Sequence, residues 1–219
     1  MLNGQYDVVS FSVLLAMLAL VPLFVVTTTS FLKISLVLLV LRSAMGVQQV
    51  PPTLAIYGIS LALSVFVMAP TVQEIGKTAL SLETNTASSR SMPLLAKAQE
   101  SFEPLRKFML KVSHADQREL FLASARKLWP KEAARDAKPS DALILIPAFV
   151  VSELQTGYEI GFLIYIPFVV IDLLISNLLM ALGMQQVSPQ TITTPLKLLL
   201  FTVVGGWGKL LNALAMSYL

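Results

Sequence analysis

The sequence predicts an all-α, membrane-associated protein: two kinked helical hairpins related by an internal repeat, with a small helical extracytoplasmic domain inserted between them. Three observations carry this reading. The 219-residue chain is 55% hydrophobic and only 13% charged, with a mean hydropathy of +0.73, whereas soluble domains carry about a quarter charged residues. The charge is also segregated, since residues 74–141 hold 12 of the 16 Lys and Arg and 9 of the 13 Asp and Glu. Finally, a G-x-Q-Q-V-x-P tip occurs twice, each time between long apolar runs. The expected division is a first hairpin over 1–73, a solvated, mostly helical domain over 74–141, and a second hairpin over 142–219.

Several function classes drop out at once. A net charge of +3 is too small to argue for nucleic acid. With no cysteine and one histidine, His114, there is neither a disulfide framework nor a thiolate site, and little for zinc. The chain has no P-loop, HExxH, GxSxG or Rossmann glycine pattern. Glu153 and Glu159 stand at i and i+6, off a common helix face, so a catalytic carboxylate pair is not expected. The expectation is a non-enzyme without a cofactor.

In chain order, MLNGQYD lacks Lys and Arg and contains Asp7, so no cleavable signal peptide is expected. Val8–Leu32 carries no charge and exceeds the roughly 20 residues that a spanning helix needs. Pro22 should kink it, and the apolar run continues past Lys33 to Leu41. Lys33 and Arg42 follow this span, which places the N-terminus outside and the 42–53 loop in the cytoplasm. Pro51-Pro52 begin a turn. Thr53–Val72 is a second uncharged run, closed by Pro70. Glu83–Pro93 reads as a Ser/Thr-rich loop, and Leu94–Val112 and Ala115–Leu128 as amphipathic helices with a basic wet face. Ser113-x-x-Asp116 is a capping signal for the second, and Trp129-Pro130 stop it. Ala142–Ser152 is apolar but short and contains Pro147. Ile160–Leu182 is long enough to span but carries Pro167 and Asp172. Leu198–Gly208 closes the series, weakened by Gly205-Gly206.

Sliding the chain along itself until Phe31 falls on Phe168 aligns Phe31–Pro52 with Phe168–Pro189 without a gap, and ten of the 22 pairs are identical. Apolar identities come easily in such a chain, so the weight rests on Gly46/Gly183, Gln48/Gln185, Gln49/Gln186, Val50/Val187 and Pro52/Pro189. Two hairpins with matching tips follow, both tips facing the same side. Internal repeats are common in transport proteins.

Ionisable groups in an apolar span are functional candidates. Asp172 lies 13 residues before Gln185 and Lys197 lies 12 after it, so antiparallel helices bring them to similar depth as a buried charge pair. The alternative for Asp172 is a proton-relay carboxylate in a proton- or solute-coupled transporter. Gln48-Gln49 and Gln185-Gln186 either cap helix ends or line a wet lumen. Met184 is either plain packing or, through its adaptable thioether, part of a gate.

Three long stretches close the case: RSAMGVQQVPPTLAIYGISLALSVFVMAP, DALILIPAFVVSELQTGYEIGFLIYIPFVVIDLLISNLLMALGM and VSPQTITTPLKLLLFTVVGGW. They closely resemble the inner-membrane export-gate family of type III secretion, which includes flagellar FliP and injectisome SctR (YscR). The resemblance implies a core pore and gate subunit, five copies of which assemble with SctS-like and SctT-like subunits to pass unfolded secretion substrates across the bacterial inner membrane. It implies a subunit contact at Glu153 and a gate at the second tip, Met184, Gln185 and Gln186. The missing signal peptide favours the injectisome branch, and the 74–141 domain is expected on the periplasmic side. The family's tip usually reads G-M-M-M, whereas here only Met184 of the methionines carries over.

The repeat generates a direct test. Single cysteines at Gln48 and Gln185, in a chain that otherwise has none, should react with a membrane-impermeant maleimide from the same side. Labelling from opposite sides removes the repeat.

Overall fold

The computed structural model describes residues 3–47, 50–84 and 94–219. Gln48, Gln49 and most of the Ser/Thr-rich loop therefore lie outside the described residues. The described residues are mostly helical, with no strand among them. In order the helices are α1 (Asn3–Thr28), α2 (Phe31–Ala44), α3 (Thr53–Thr84), α4 (Leu94–Val112), α5 (Ala115–Leu128), α6 (Lys131–Asp136), α7 (Ala142–Ala181), α8 (Gln190–Val203) and α9 (Gly206–Met216). Three stretches, Phe11–Thr28, Thr53–Thr78 and Ala142–Ala181, are long and apolar enough to cross a membrane; α8 and α9 qualify together, bent by 65° at Gly205.

Four boundaries differ from the sequence reading. The apolar run from Val8 to Leu41 is not one helix but breaks at Thr29-Ser30. The hydroxyls of Thr27, Thr28 and Thr29 donate to the carbonyls of Leu23, Phe24 and Val25 at 2.7–2.9 Å, a back-bonding that bends helices. Pro70 does not close α3, which runs on to Thr84. Pro147 and Pro167 likewise sit inside a single 40-residue α7 that fuses the two apolar runs expected there. Ser113 is not a cap: the N-cap of α5 is His114 without a side-chain cap bond, and the Ser113 hydroxyl accepts from Arg118 at 2.8 Å.

The packing centre is α2, which buries Ile34, Val37, Leu38, Leu41 and Ala44 together with Lys33 and Ser35. Its first half meets Ile56 of α3, Leu214 of α9 and Tyr218; its second half meets Phe168 of α7. The helices of the charged segment dock beside it. Leu105 and Met109 of α4 pack with Met68 of α3 and with Leu145 and Phe149 of α7. Ala125 of α5 packs with Ile144.

Helices α2 and α7 approach closely because α7 carries Gly157-x-x-x-Gly161. A Cβ on Gly157 would stand 2.9 Å from Leu36 Cδ2 and 3.6 Å from the backbone of Lys33; one on Gly161 would stand 3.1 Å from Val40 Cγ1. Leu36 and Val40 are one turn apart, as the glycines are, so two side chains fill the hollows left by two glycines. In an apolar surround, this backbone approach rather than water exclusion drives helix association.

The tips recur in hydrogen bonding at the offset found in the sequence. Met45 N–H donates to Leu41 O and Gly46 N–H to Ser43 O; Leu182 N–H donates to Leu178 O and Gly183 N–H to Met180 O. Beyond each tip, Pro52 O accepts from Ala55 and Ile56, and Pro189 O from Ile192 and Thr193. Both tip glycines take a left-handed φ, +76° at Gly46 and +74° at Gly183, where a Cβ would be strained.

Replacing Gly161 by Leu should cost about 1–3 kcal/mol through overpacking against Val40 and lower the detergent melting temperature and cellular yield. Gly58→Ala, where the added Cβ meets nothing within 4 Å, should leave both unchanged. Equal behaviour of the two variants would show that α2 and α7 are not in close contact.

Candidate functional site

Two polar constellations are embedded in this apolar packing, one at each end of α2. At its start, Lys33 Nζ lies 3.3 Å from Glu153 Oε1 of α7, with both side chains at most 2% exposed. The same ammonium sits 3.6 Å from the centroid of the Tyr218 ring, within cation–π range. The Tyr218 hydroxyl donates to Glu153 Oε2 at 2.5 Å and lies 3.3 Å from Ser30 O. Burial, and then the Glu153 charge beside it, push the Tyr218 phenol well above its ordinary pKa, so it stays a proton donor. Two ions and a phenol thus satisfy one another at a nearly buried site. Removing one member of such a cluster leaves an uncompensated charge, at a cost of about 3–5 kcal/mol.

The three cluster residues also line a cavity of about 210 Å³, together with Lys111, His114 and Thr156. His114 N–H donates to Ser152 Oγ at 2.9 Å, and that hydroxyl donates to Ala148 O at 2.7 Å. This tethers the start of α5 to α7.

At the other end of α2, Lys197 of α8 is 4% exposed and places Nζ 2.6 Å from Asp172 Oδ2. A second N–H donates to Ala44 O at 3.0 Å. Lys197 therefore holds α7 while neutralising the negative end of α2, where a cation is favoured by the helix dipole. Asp172 is 43% exposed and faces a groove lined by Ser176, Ser188 and Gln190. Asn177, also within this span, is exposed.

The second tip is closed by its backbone. Met184 N–H reaches back to Leu179 O and Gly183 N–H to Met180 O, the paired bonds of a glycine-terminated helix end. Capping is thus done by Gly183 and Met184 main chain, not by a glutamine side chain. Met184, Gln185 and Gln186 are all exposed, Met184 to 45%.

Glu153, expected at a contact between subunits, is buried inside the single chain because Lys33 and Tyr218 both close on its carboxylate. Lys33, read as a charge flanking the first span, is equally buried, which leaves Arg42 alone to argue orientation. Sequence reasoning missed Lys33 and Tyr218 as partners of Glu153. For Lys33 a signal existed, since it interrupts an apolar run as Asp172 does; Tyr218 carries none. Gln48 and Gln49 lie outside the described residues. Among the described residues, no group of three or more His, Asp or Glu side chains comes together to hold a metal ion.

With this geometry in place, comparison with known proteins supplies relatives. The profile of the FliP family matches residues 14–214. The chain is 45% identical to the harpin secretion protein HrcR of Erwinia amylovora, covering 98% of both chains. It is 44% identical to the Yop proteins translocation protein R of Yersinia pestis over 97% of both, and 43% identical to the virulence protein YscR of Salmonella typhimurium over 94% of both.

The two charge sites should differ in sensitivity. Lys33→Met strands Glu153 in a closed site and should cost about 3–5 kcal/mol, whereas Asp172→Asn opens onto a groove and should cost less, about 1–2 kcal/mol. The Asp172→Lys/Lys197→Asp swap should recover part of the loss seen in Lys197→Asp alone. Detergent melting curves measure all four variants. A Lys33→Met protein as stable as wild type, or a swap no better than its worse single change, contradicts the corresponding pair.

Proposed function

The chain belongs to the FliP family, and from that premise we propose that it is the pore and gate subunit of a type III secretion export apparatus. Its component role in type III secretion follows from the relatives, which are secretion and translocation proteins matched over nearly the whole chain. In the proposed reading, five copies assemble with SctS-like and SctT-like subunits in the bacterial inner membrane and conduct unfolded substrates. The subunit performs no chemistry of its own. Residues 1–73 and 142–219 form the two hairpins, and 74–141 lies on the periplasmic side.

The observation that carries the reading is the exposed apolar surface. In α7 alone, Phe162, Leu163, Ile166, Val170, Leu173, Leu174 and Leu178 are each 43–68% exposed. A helix of this length, 40 residues, extends about 60 Å, far more than the ~30 Å of hydrocarbon in a bilayer. The exposed face from Phe162 to Leu178 spans about 25 Å of this and carries Asp172, 43% exposed, among its apolar side chains, which favours neighbouring protein over lipid as its cover. The matched hydrogen bonds at the two tips support a repeated hairpin. Asp172, ion-paired to Lys197, fits a structural role better than a proton relay.

The gate is assigned to the second tip. An export channel must stay shut to ions at rest, and an apolar constriction closes by dewetting. A ring of Met184 side chains does this and deforms around a passing chain, while the neighbouring amides of Gln185 and Gln186 hydrate readily and are turned away from the seal.

Two measurements test this. The native mass of the detergent-solubilised complex, co-expressed with its neighbouring subunits, should report a ring of about five copies; a monomer or dimer would favour a transporter. Met184→Ala should raise resting ion leak in cells carrying assembled complex without substrate, and the Gln185→Met/Gln186→Met pair should leave the leak unchanged or lower it. An assembled Met184→Ala complex that stays tight places the seal elsewhere.

A further inference from the structure

Helix α7 carries three acidic residues, Glu153, Glu159 and Asp172, and α8 and α9 carry one lysine each, Lys197 and Lys209. Lys33 answers Glu153, and Lys197 answers Asp172. Glu159 and Lys209 are left over. Both are exposed, and among the described residues neither makes an ion pair. One Glu159 carboxylate oxygen accepts from the Gln155 amide at 3.0 Å, which leaves its charge unbalanced.

Their surroundings are apolar. Glu159 stands on the exposed stripe of α7 that continues at helical spacing through Phe162, Ile166 and Val170. Lys209 shares the outer side of α9 with Asn212 and Met216, while Leu210, Leu211 and Leu214 pack into the core. A charge on a helix apolar enough to span a membrane is costly to leave alone.

The level of both can be counted from one contact. Tyr218 meets Glu153 at the start of α2. From there both helices reach toward the other end of α2, where Ile164 of α7 and Trp207 of α9 pack beside Leu41 and Phe168. Glu159 lies 6 residues on from Glu153, and Lys209 lies 9 residues back from Tyr218. At 1.5 Å per residue these are rises of about 9 and 13 Å, a mismatch of about 4 Å that a lysine side chain can span. The two nevertheless do not meet within the chain. They face different sides of the subunit at nearly one level.

We propose that Glu159 of one copy and Lys209 of the next form an ion pair between subunits. The inference rests on the ring of copies proposed above and names a contact that closes it. In such a ring, one side of each subunit meets a different side of its neighbour. Rotation about an axis running along α7 preserves level, so it brings this carboxylate and this ammonium face to face. A second copy therefore fits the α7 stripe, because the same chain supplies the missing cation at the matching height.

The test uses the complex co-expressed with its neighbouring subunits and containing two differently tagged copies, one with Glu159→Cys and one with Lys209→Cys. In a chain that otherwise has no cysteine, a short bismaleimide should join one copy of each kind. Neither variant expressed alone should join copy to copy. Glu159→Lys sets like charges together and should lower the yield of assembled complex about tenfold, and Glu159→Lys/Lys209→Glu should restore most of it. Both side chains are exposed, so the melting temperature of the chain expressed by itself should stay unchanged in each variant. An assembled ring without the mixed crosslink, or a double exchange no better than Glu159→Lys, overturns the ion pair and leaves the ring standing. Glu159→Cys joined to a different kind of subunit overturns it too. A wild-type complex whose native mass shows one or two copies removes ring and pair together.

Discussion

The fold depends on burying one ammonium group. Lys33 sits on the most enclosed helix of the molecule, and an unpaired charge there would cost several kcal/mol. Glu153 must therefore come from α7 and Tyr218 from beyond α9, and both must arrive together for the carboxylate to be fully engaged. This makes the cluster a registry device. It sets where along its length α7 meets α2, and it draws the segment after Met216 back across the start of α2. Gly157 and Gly161 follow Glu153 by one and two turns of the same helix, so the ion pair fixes the register that the glycines need for close approach.

The opposite end of α2 is organised on different terms. Lys197 neutralises a half-open carboxylate and a helix terminus at once, so it joins α2, α7 and α8 where the second tip begins. The enclosed pair sets the register of the packing, and the accessible pair secures the neighbourhood of the tip. The two tips match in their backbone hydrogen bonds but not in nearby charge: Ser35 and Ser60 stand where the tip alignment pairs with Asp172 and Lys197.

Much of this was legible in the sequence. The helical class, the long apolar runs and the repeated tips are written in composition and spacing. The depth of Asp172 and Lys197 could be counted from the tip, because two antiparallel helices rise equally per residue. What stayed hidden was non-local. Nothing near Tyr218 announces that its hydroxyl reaches Glu153, a distant residue on another helix. The end of α3 and the continuity of α7 were hidden for a related reason. Proline reads as a boundary in sequence, whereas neighbouring helices support the backbone of a long packed helix past it. The break at Thr29-Ser30 escapes a hydropathy scale because three threonines look apolar enough on it, while their hydroxyls compete for the carbonyls one turn back.

The backbone closure at Gly183 has a consequence for how such a tip can change over time. All the hydrogen bonding that ends α7 is done by main-chain groups, and the single demand on sequence is a residue that tolerates a left-handed φ. The three side chains that follow carry no share of holding the turn together. Their chemistry can drift from thioether to amide without the helix end noticing, so the protein can re-tailor what its tip presents while the scaffold beneath stays as it was.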